Sequence, residues 1–186
     1  MIKNMSRRAR VVTGGTVLAA VAAGAFGTLS ANAAASATPA APAASARPAD
    51  TTTTTHLTTD AATEAARAAL AAAQQENQRI TVAVVDRNGN TIVTLRGDGA
   101  GPQSYESAER KAYTAVSWNA PTSELAGRLK KAPNLKDIPG TLFLGGGVPV
   151  TAGNTPIAGI GVAGAPSGDL DEKFARAGVE ALGDTR

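Results

Sequence analysis

The sequence predicts an α+β domain, an antiparallel β-sheet flanked by helices, set behind an N-terminal leader and a polar spacer. Three observations predict it. Between Asp137 and Ala165, a Pro-Gly entry, an apolar run and a triple glycine lead into two β-rich arms joined by a tight turn. Upstream, the runs Ile80 to Val85 and Thr91 to Arg96 enclose Asp86-Arg87-Asn88-Gly89-Asn90, a second hairpin pattern. Around the two hairpins stand stretches with apolar residues at helical spacing.

Taken in order, the chain begins with Ser6-Arg7-Arg8-Ala9-Arg10 ahead of a mild apolar stretch, Val11 to Leu29. Ala31-Asn32-Ala33 then supplies a small-x-small cleavage pattern. Paired arginines before a weakly hydrophobic core predict twin-arginine export of residues 34–186 and a secreted, extracellular location, with the cell wall a further option. An ordinary secretory signal or a single anchoring helix is the alternative reading of residues 1–33. Residues 34–55 are mostly Ala, Pro, Ser and Thr with few large apolar groups to bury, and read as a disordered spacer.

The folded domain is expected over residues 56–186. Thr58-Thr59-Asp60 offers N-cap side chains to a helix over Ala61 to Gln75, with Ala62, Ala65, Ala66, Ala69, Leu70 and Ala73 on one face. After the first hairpin, Asp98 to Ser104 is a Gly/Pro loop. Ser104 is expected to cap a helix from Tyr105 to Trp118 whose core face is Tyr105, Ala108, Ala112, Ala115 and Val116. Thr122 or Ser123 opens a shorter helix through Lys130. Val148 to Thr151 and Pro156 to Val162 form the second hairpin around Ala152-Gly153-Asn154-Thr155. Glycines at Gly159, Gly161 and Gly164 leave room for another backbone, a helix or a flat ligand to approach the sheet. Ser167-Gly168-Asp169 starts a last helix with Leu170, Phe174, Ala177, Val179 and Leu182 on its apolar stripe.

Composition excludes several chemistries. The net charge of +3 arises in the leader: residues 1–33 hold four of the 18 basic residues and no acid, which leaves 14 basic against 15 acidic groups. A nucleic-acid binder keeps its basic excess in the folded part, and this chain does not. The absence of cysteine removes disulfides, thiolate metal sites and cysteine nucleophiles. One histidine, at the domain's edge, supports neither a Ser-His-Asp triad nor a zinc site. The glycine run at 145–147 lacks the Gly-Lys-Ser/Thr that completes a phosphate loop.

Oxygen chemistry remains. Glu106 and Glu109 stand three apart on a predicted helix, so their carboxylates share a side and fit a hard cation such as iron, with water or another subunit completing the set. The competing reading is a solvated helix start, with Glu106 paired to Arg110 and both acids favoured by the helix dipole.

Four segments carry a family resemblance: Val84-Val85-Asp86-Arg87-Asn88-Gly89, Ser107-Ala108-Glu109-Arg110-Lys111-Ala112, Gly146-Gly147-Val148-Pro149 and Ile157-Ala158-Gly159-Ile160-Gly161-Val162. In this order, behind this leader, they resemble the GlcG/HbpS-type haem-binding family, related to the C-terminal domain of PduO-type proteins. The resemblance covers the whole folded part. It implies a profilin/PAS-like α/β sandwich and an exported protein that binds haem and iron. It further implies assembly as octamers and signalling of oxidative stress to the extracellular part of a sensor histidine kinase. By the same resemblance Thr141 matches the axial ligand of haem, and His56, Glu106 and Glu109 match the iron-binding residues. Read alone, Thr141 is a β-branched residue starting a strand, and His56 an exposed residue at a linker junction. Of the usual haem ligands, residues 34–186 offer only His56, Tyr105 and Tyr113. A slow haem-degrading enzyme or haem scavenger and a corrinoid-related role are the alternative functions. Corrinoid adenosylation needs cytoplasmic ATP, which an exported protein does not meet.

Overall fold

A computed structural model of the chain describes residues 45–184. The predicted leader, 1–33, and spacer residues 34–44 lie outside the described residues. Residues 45–55 are exposed and carry one 3-10 turn, Pro48–Asp50, closed by an Arg47–Asp50 ion pair at 2.8 Å.

Helix α1 (Thr59–Gln75) starts as its sequence dictates, with the Thr58 hydroxyl accepting from the Ala61 amide at 3.2 Å. Strands β1 (Thr81–Asp86) and β2 (Thr91–Arg96) form the first hairpin. Helix α2 (Gln103–Trp118) and the short α3 (Thr122–Arg128) follow. A 3-10 turn at Pro133–Asp137 and a loop without regular structure lead to strands β3 (Gly147–Ala152) and β4 (Thr155–Ala163). Their connection is two residues, Gly153 and Asn154, and Gly153 takes the left-handed φ of +59° that such a turn requires. Helix α4 (Gly168–Asp184) closes the described chain, with the Leu170 amide donating to Ser167 Oγ at 3.2 Å.

The sheet is antiparallel in the order β2-β1-β4-β3, so the two hairpins join through β1 and β4, from Thr81↔Ala163 to Asp86↔Ala158. Alternation gives each strand two faces. Val82, Val84, Val148, Val150, Ile160 and Val162 cluster with the alanines of α1 and with Phe174 and Ala175 of α4. On the opposite face, Ala83 and Ala163 meet Ala108, and Val85 meets Ala112 and Val116 of α2. The expected α+β architecture of an antiparallel sheet flanked by helices is the one found.

The glycine pattern has a definite cause. A Cβ on Gly161 would collide with the carbonyl oxygen of Ala108, and one on Gly159 with that of Ala112. The backbone of α2 lies directly on β4, so what the glycines admit is a helix and not a flat ligand.

Two expectations for α2 are corrected. The helix begins at Gln103, and Ser104 does not cap it: its buried hydroxyl bonds Thr81 Oγ1 at 2.7 Å and the Gly101 carbonyl at 2.6 Å. Tyr105, expected in the core, is 48% exposed, and the core face instead includes Ser104, Lys111 and Thr114. An earlier start and a buried serine rotate the stripe away from position 105.

Candidate functional site

Thr141 lies in the loop between the second 3-10 turn and β3, so the reading of it as the start of a strand is overturned. Gly140, at φ +78°, turns the chain into it. Thr141 is buried, and its hydroxyl donates to the Ile138 carbonyl at 2.7 Å, with its amide aimed at the same oxygen at 3.3 Å. That bond commits the hydroxyl proton, so the oxygen's lone pairs are what Thr141 can offer an electron-poor centre. The next amide, Leu142 N, donates to Thr114 Oγ1 on α2 at 2.8 Å. Phe143 then packs edge-on against Trp118, with ring centroids 5.3 Å apart, and anchors the loop in a small core with Ala120 and Leu125. Ile138 and Leu144, on either side of Thr141, are exposed.

Beside this loop, Val85, Gly89, Thr91, Glu109, Arg110, Tyr113 and Gly140 line an open groove of about 290 Å³. This is at the lower end of the roughly 300–1,000 Å³ of small-molecule pockets, so one copy of the chain would enclose a macrocycle only in part. Tyr113 is its aromatic wall: a Cβ on Gly89 would stand 2.9 Å from the ring. A larger groove, about 470 Å³, runs along α4 from Asp169 to Glu180, where Glu172 pairs with Arg176 and Lys173 with Glu76. Those paired charges occupy one another, and none of the sequence-predicted site residues lines that groove.

The acidic candidates sit one helix turn apart on α2 but have different partners. Glu106 is exposed and faces Arg110 at 3.4 Å, whereas Glu109 accepts from Thr94 Oγ1 on β2 at 3.1 Å. His56 is elsewhere. Its Nδ1 stands 3.5 Å from Asp86 Oδ2, and its Nε2 faces Thr54 Oγ1 at 2.6 Å and the Asn88 side chain at 3.5 Å. Burial by itself would push the Asp86 carboxyl up. The Asn90 and Asn88 amides, the Asn90 side chain and the His56 charge outweigh it and hold Asp86 below its ordinary value. Among the described residues, no three His, Asp or Glu side chains of one copy converge as a metal site. The fold therefore brings Glu106 and Glu109 onto one helix and sets His56, which precedes α1, against Asp86 and Asn88 at the β1–β2 turn. A hard cation at the glutamates needs further oxygen donors from water or another chain.

A buried pair escaped the sequence reading. Lys111 Nζ donates to Asp171 Oδ2 at 2.7 Å and to the Val162 carbonyl at 3.0 Å, joining α2 to the start of α4 past the end of β4. Burial pushes the Asp171 carboxyl up, while Lys111 and the Ala165 and Gly164 amides pull it back. The available signal was a lysine within the Ala108–Ala112–Ala115 stripe, a position that tolerates charge only when it is paired.

The chain is similar to several known proteins. A crystal structure of HbpS from Streptomyces reticuli, carrying two Glu-to-Asp changes three positions apart, is similar at 71% identity and a TM-score of 0.75, covering 77% of this chain and 99% of that one. A PduOC–haem complex is similar at 28% identity and a TM-score of 0.63, covering 68% of this chain and 95% of that one. An uncharacterized 15.0 kDa protein of Citrobacter freundii, from the dhaT-dhaS intergenic region, is 32% identical over 97 residues, 50% of this chain and 68% of its own length. A family model described as "Haem degrading protein HbpS-like" matches residues 57–180, nearly the whole folded part. The chain belongs to the HbpS-like family.

Proposed function

We propose that this chain is an exported haem- and iron-binding protein that reports haem or oxidative stress to the extracellular part of a sensor histidine kinase. Haem as its ligand is supported by membership of the HbpS-like family and by the similar PduOC–haem complex. The observation that carries the site is the hydroxyl of Thr141, the residue directly after Gly140 of the Tyr113 groove, whose proton is held by the Ile138 carbonyl. A neutral hydroxyl is a weaker iron ligand than the usual His, thiolate, Met or Tyr. It suits a ligand that is exchanged and sensed more than one held for electron transfer. Haem supplies a redox-active iron when bound; the chain supplies a donor oxygen, an aromatic wall and the Arg110 cation in the groove lining. Titrating the purified protein with haemin and following the Soret band tests this. Wild type is expected to saturate, and Thr141→Ala to bind more weakly or with a shifted band. An unchanged band and affinity would pass the role to Tyr113.

The iron site is assigned to Glu106 and Glu109, with His56 contributed through assembly, for which a homo-octamer is the expected form. The two Glu-to-Asp changes in the similar HbpS structure have the same three-residue spacing, which supports the choice of this pair. Isothermal titration with ferrous iron is expected to show uptake by wild type and little by the Glu106→Ala, Glu109→Ala double variant. Equal uptake would leave the glutamates as a solvated helix face. Export is checked by replacing Arg7 and Arg8 with lysine: secretion stops if the route is twin-arginine.

A second reading, haem degradation, is favoured by the family's description. Its test is the accumulation of bilin-like products over several turnovers.

A further inference from the structure

The geometry points to Thr114 as a positioning residue that sets the Thr141 oxygen for haem, an inference that rests on the reading of Thr141 above. Thr114 is fully buried in α2, one turn after Arg110 and clear of the groove lining. Its hydroxyl is used twice. It donates to the Arg110 carbonyl at 2.7 Å, within its own helix, and accepts the Leu142 amide at 2.8 Å from the opposite loop. Leu142 N belongs to the peptide that follows Thr141, so the bond fixes the plane of that peptide and with it the orientation of the Thr141 Cα. On the other side Thr141 is fixed by its own two bonds to the Ile138 carbonyl. The segment has no strand or helix hydrogen bonds of its own, and these side-chain ties take their place.

The back-bond to Arg110 sharpens the arrangement. Because the Thr114 proton points into the helix ladder, its lone pairs face the loop, and the Leu142 amide is the donor that meets them. Thr114 therefore ties the loop to the same helix that carries Glu106, Glu109 and Arg110.

Thr114→Val keeps the side chain's shape and removes the hydroxyl, leaving the Leu142 amide without its acceptor. Haemin affinity is expected to fall about three- to tenfold, the effect of one lost hydrogen bond, with a Soret band displaced in the same direction as that of Thr141→Ala measured alongside. Thr114→Ser, which restores the hydroxyl, is expected to return both to wild-type values. Thr114→Ala provides a second hydroxyl-free variant should valine prevent folding. In a Thr141→Ala background, Thr114→Val is expected to add no further change. Wild-type affinity and band in both hydroxyl-free variants would overturn the inference, as would a full additional loss in the Thr141→Ala background, which marks a general structural role. If Thr141→Ala itself binds haem as wild type does, the ligand assignment fails first and Thr114 falls with it.

Discussion

Beneath α1 and α4 the sheet presents Val82, Val84, Ile160 and Val162 to alanines and to Phe174, while beneath α2 it presents mainly glycine and alanine, with Val85 at one end, to a helix backbone. The first face is held by volume. Large side chains from the strands and Phe174 of α4 fill the space left by the alanines of α1, and an exchange of similar volume is tolerated. The second is held by distance, because α2 rests on β4 so closely that a single methyl group has nowhere to go. All of Glu106, Glu109, Arg110, Tyr113 and Thr114 are carried by α2. The face with the least freedom to shift is thus the one that supports the candidate site, and a donor that must be placed to within a fraction of an ångström benefits from such a support.

The comparison predicts that the two faces fail differently. Phe174→Ala empties the centre of the α1/α4 face and should cost about 3–5 kcal/mol of stability. Haemin affinity, measured well below the melting temperature, should be unchanged; a loss of affinity there would break the distinction between the faces. Lys111→Met tests the link between them. It leaves Asp171 buried without its cation and should cost about 3 kcal/mol at neutral pH. Since the unpaired carboxyl is then easier to protonate, the deficit should shrink as the medium is acidified, which thermal melts from neutral to acid pH would follow.

Gly161→Ala adds one methyl between β4 and the Ala108 carbonyl and should cost about 1–3 kcal/mol. Here the Soret band is expected to move as well, because α2 must be displaced. A shift in melting temperature alone would show that the site tolerates movement of its helix. Asp86→Asn, at the end of β1 where the carboxylate caps the turn, should have the smallest effect, about 1 kcal/mol. The carboxyl of Asp86 is held below its ordinary value in the folded state, so its stabilising contribution is complete above the unfolded value. It is lost as pH falls through the folded one. The stability gap between wild type and Asp86→Asn should therefore be open at neutral pH and close in acid, as urea titrations at a series of pH values would show.

Hydrophobic spacing, turn residues and cap residues located the four α-helices and four strands, though not the two 3-10 turns, because these signals act within a few positions of one another. Thr58 as the cap of α1 and the Gly153-Asn154 turn are of this kind. The glycines of β4 announced a close approach but not its partner, since a missing side chain says only that something is near. Ser104 looked like a cap from its neighbours, yet Thr81, 23 positions earlier, takes its hydroxyl into the core. Thr141 had the side chain of a strand residue and lies in a loop held by Thr114 and Ile138. Lys111 depends on Asp171, 60 positions away, and Leu142 on Thr114, 28 positions away. Local propensity is summed over adjacent residues and can be read along the chain. Hydrogen bonds and ion pairs between distant segments exist only once the sheet has brought α2, α4 and the Thr141 loop together, and it is tertiary packing that decided them.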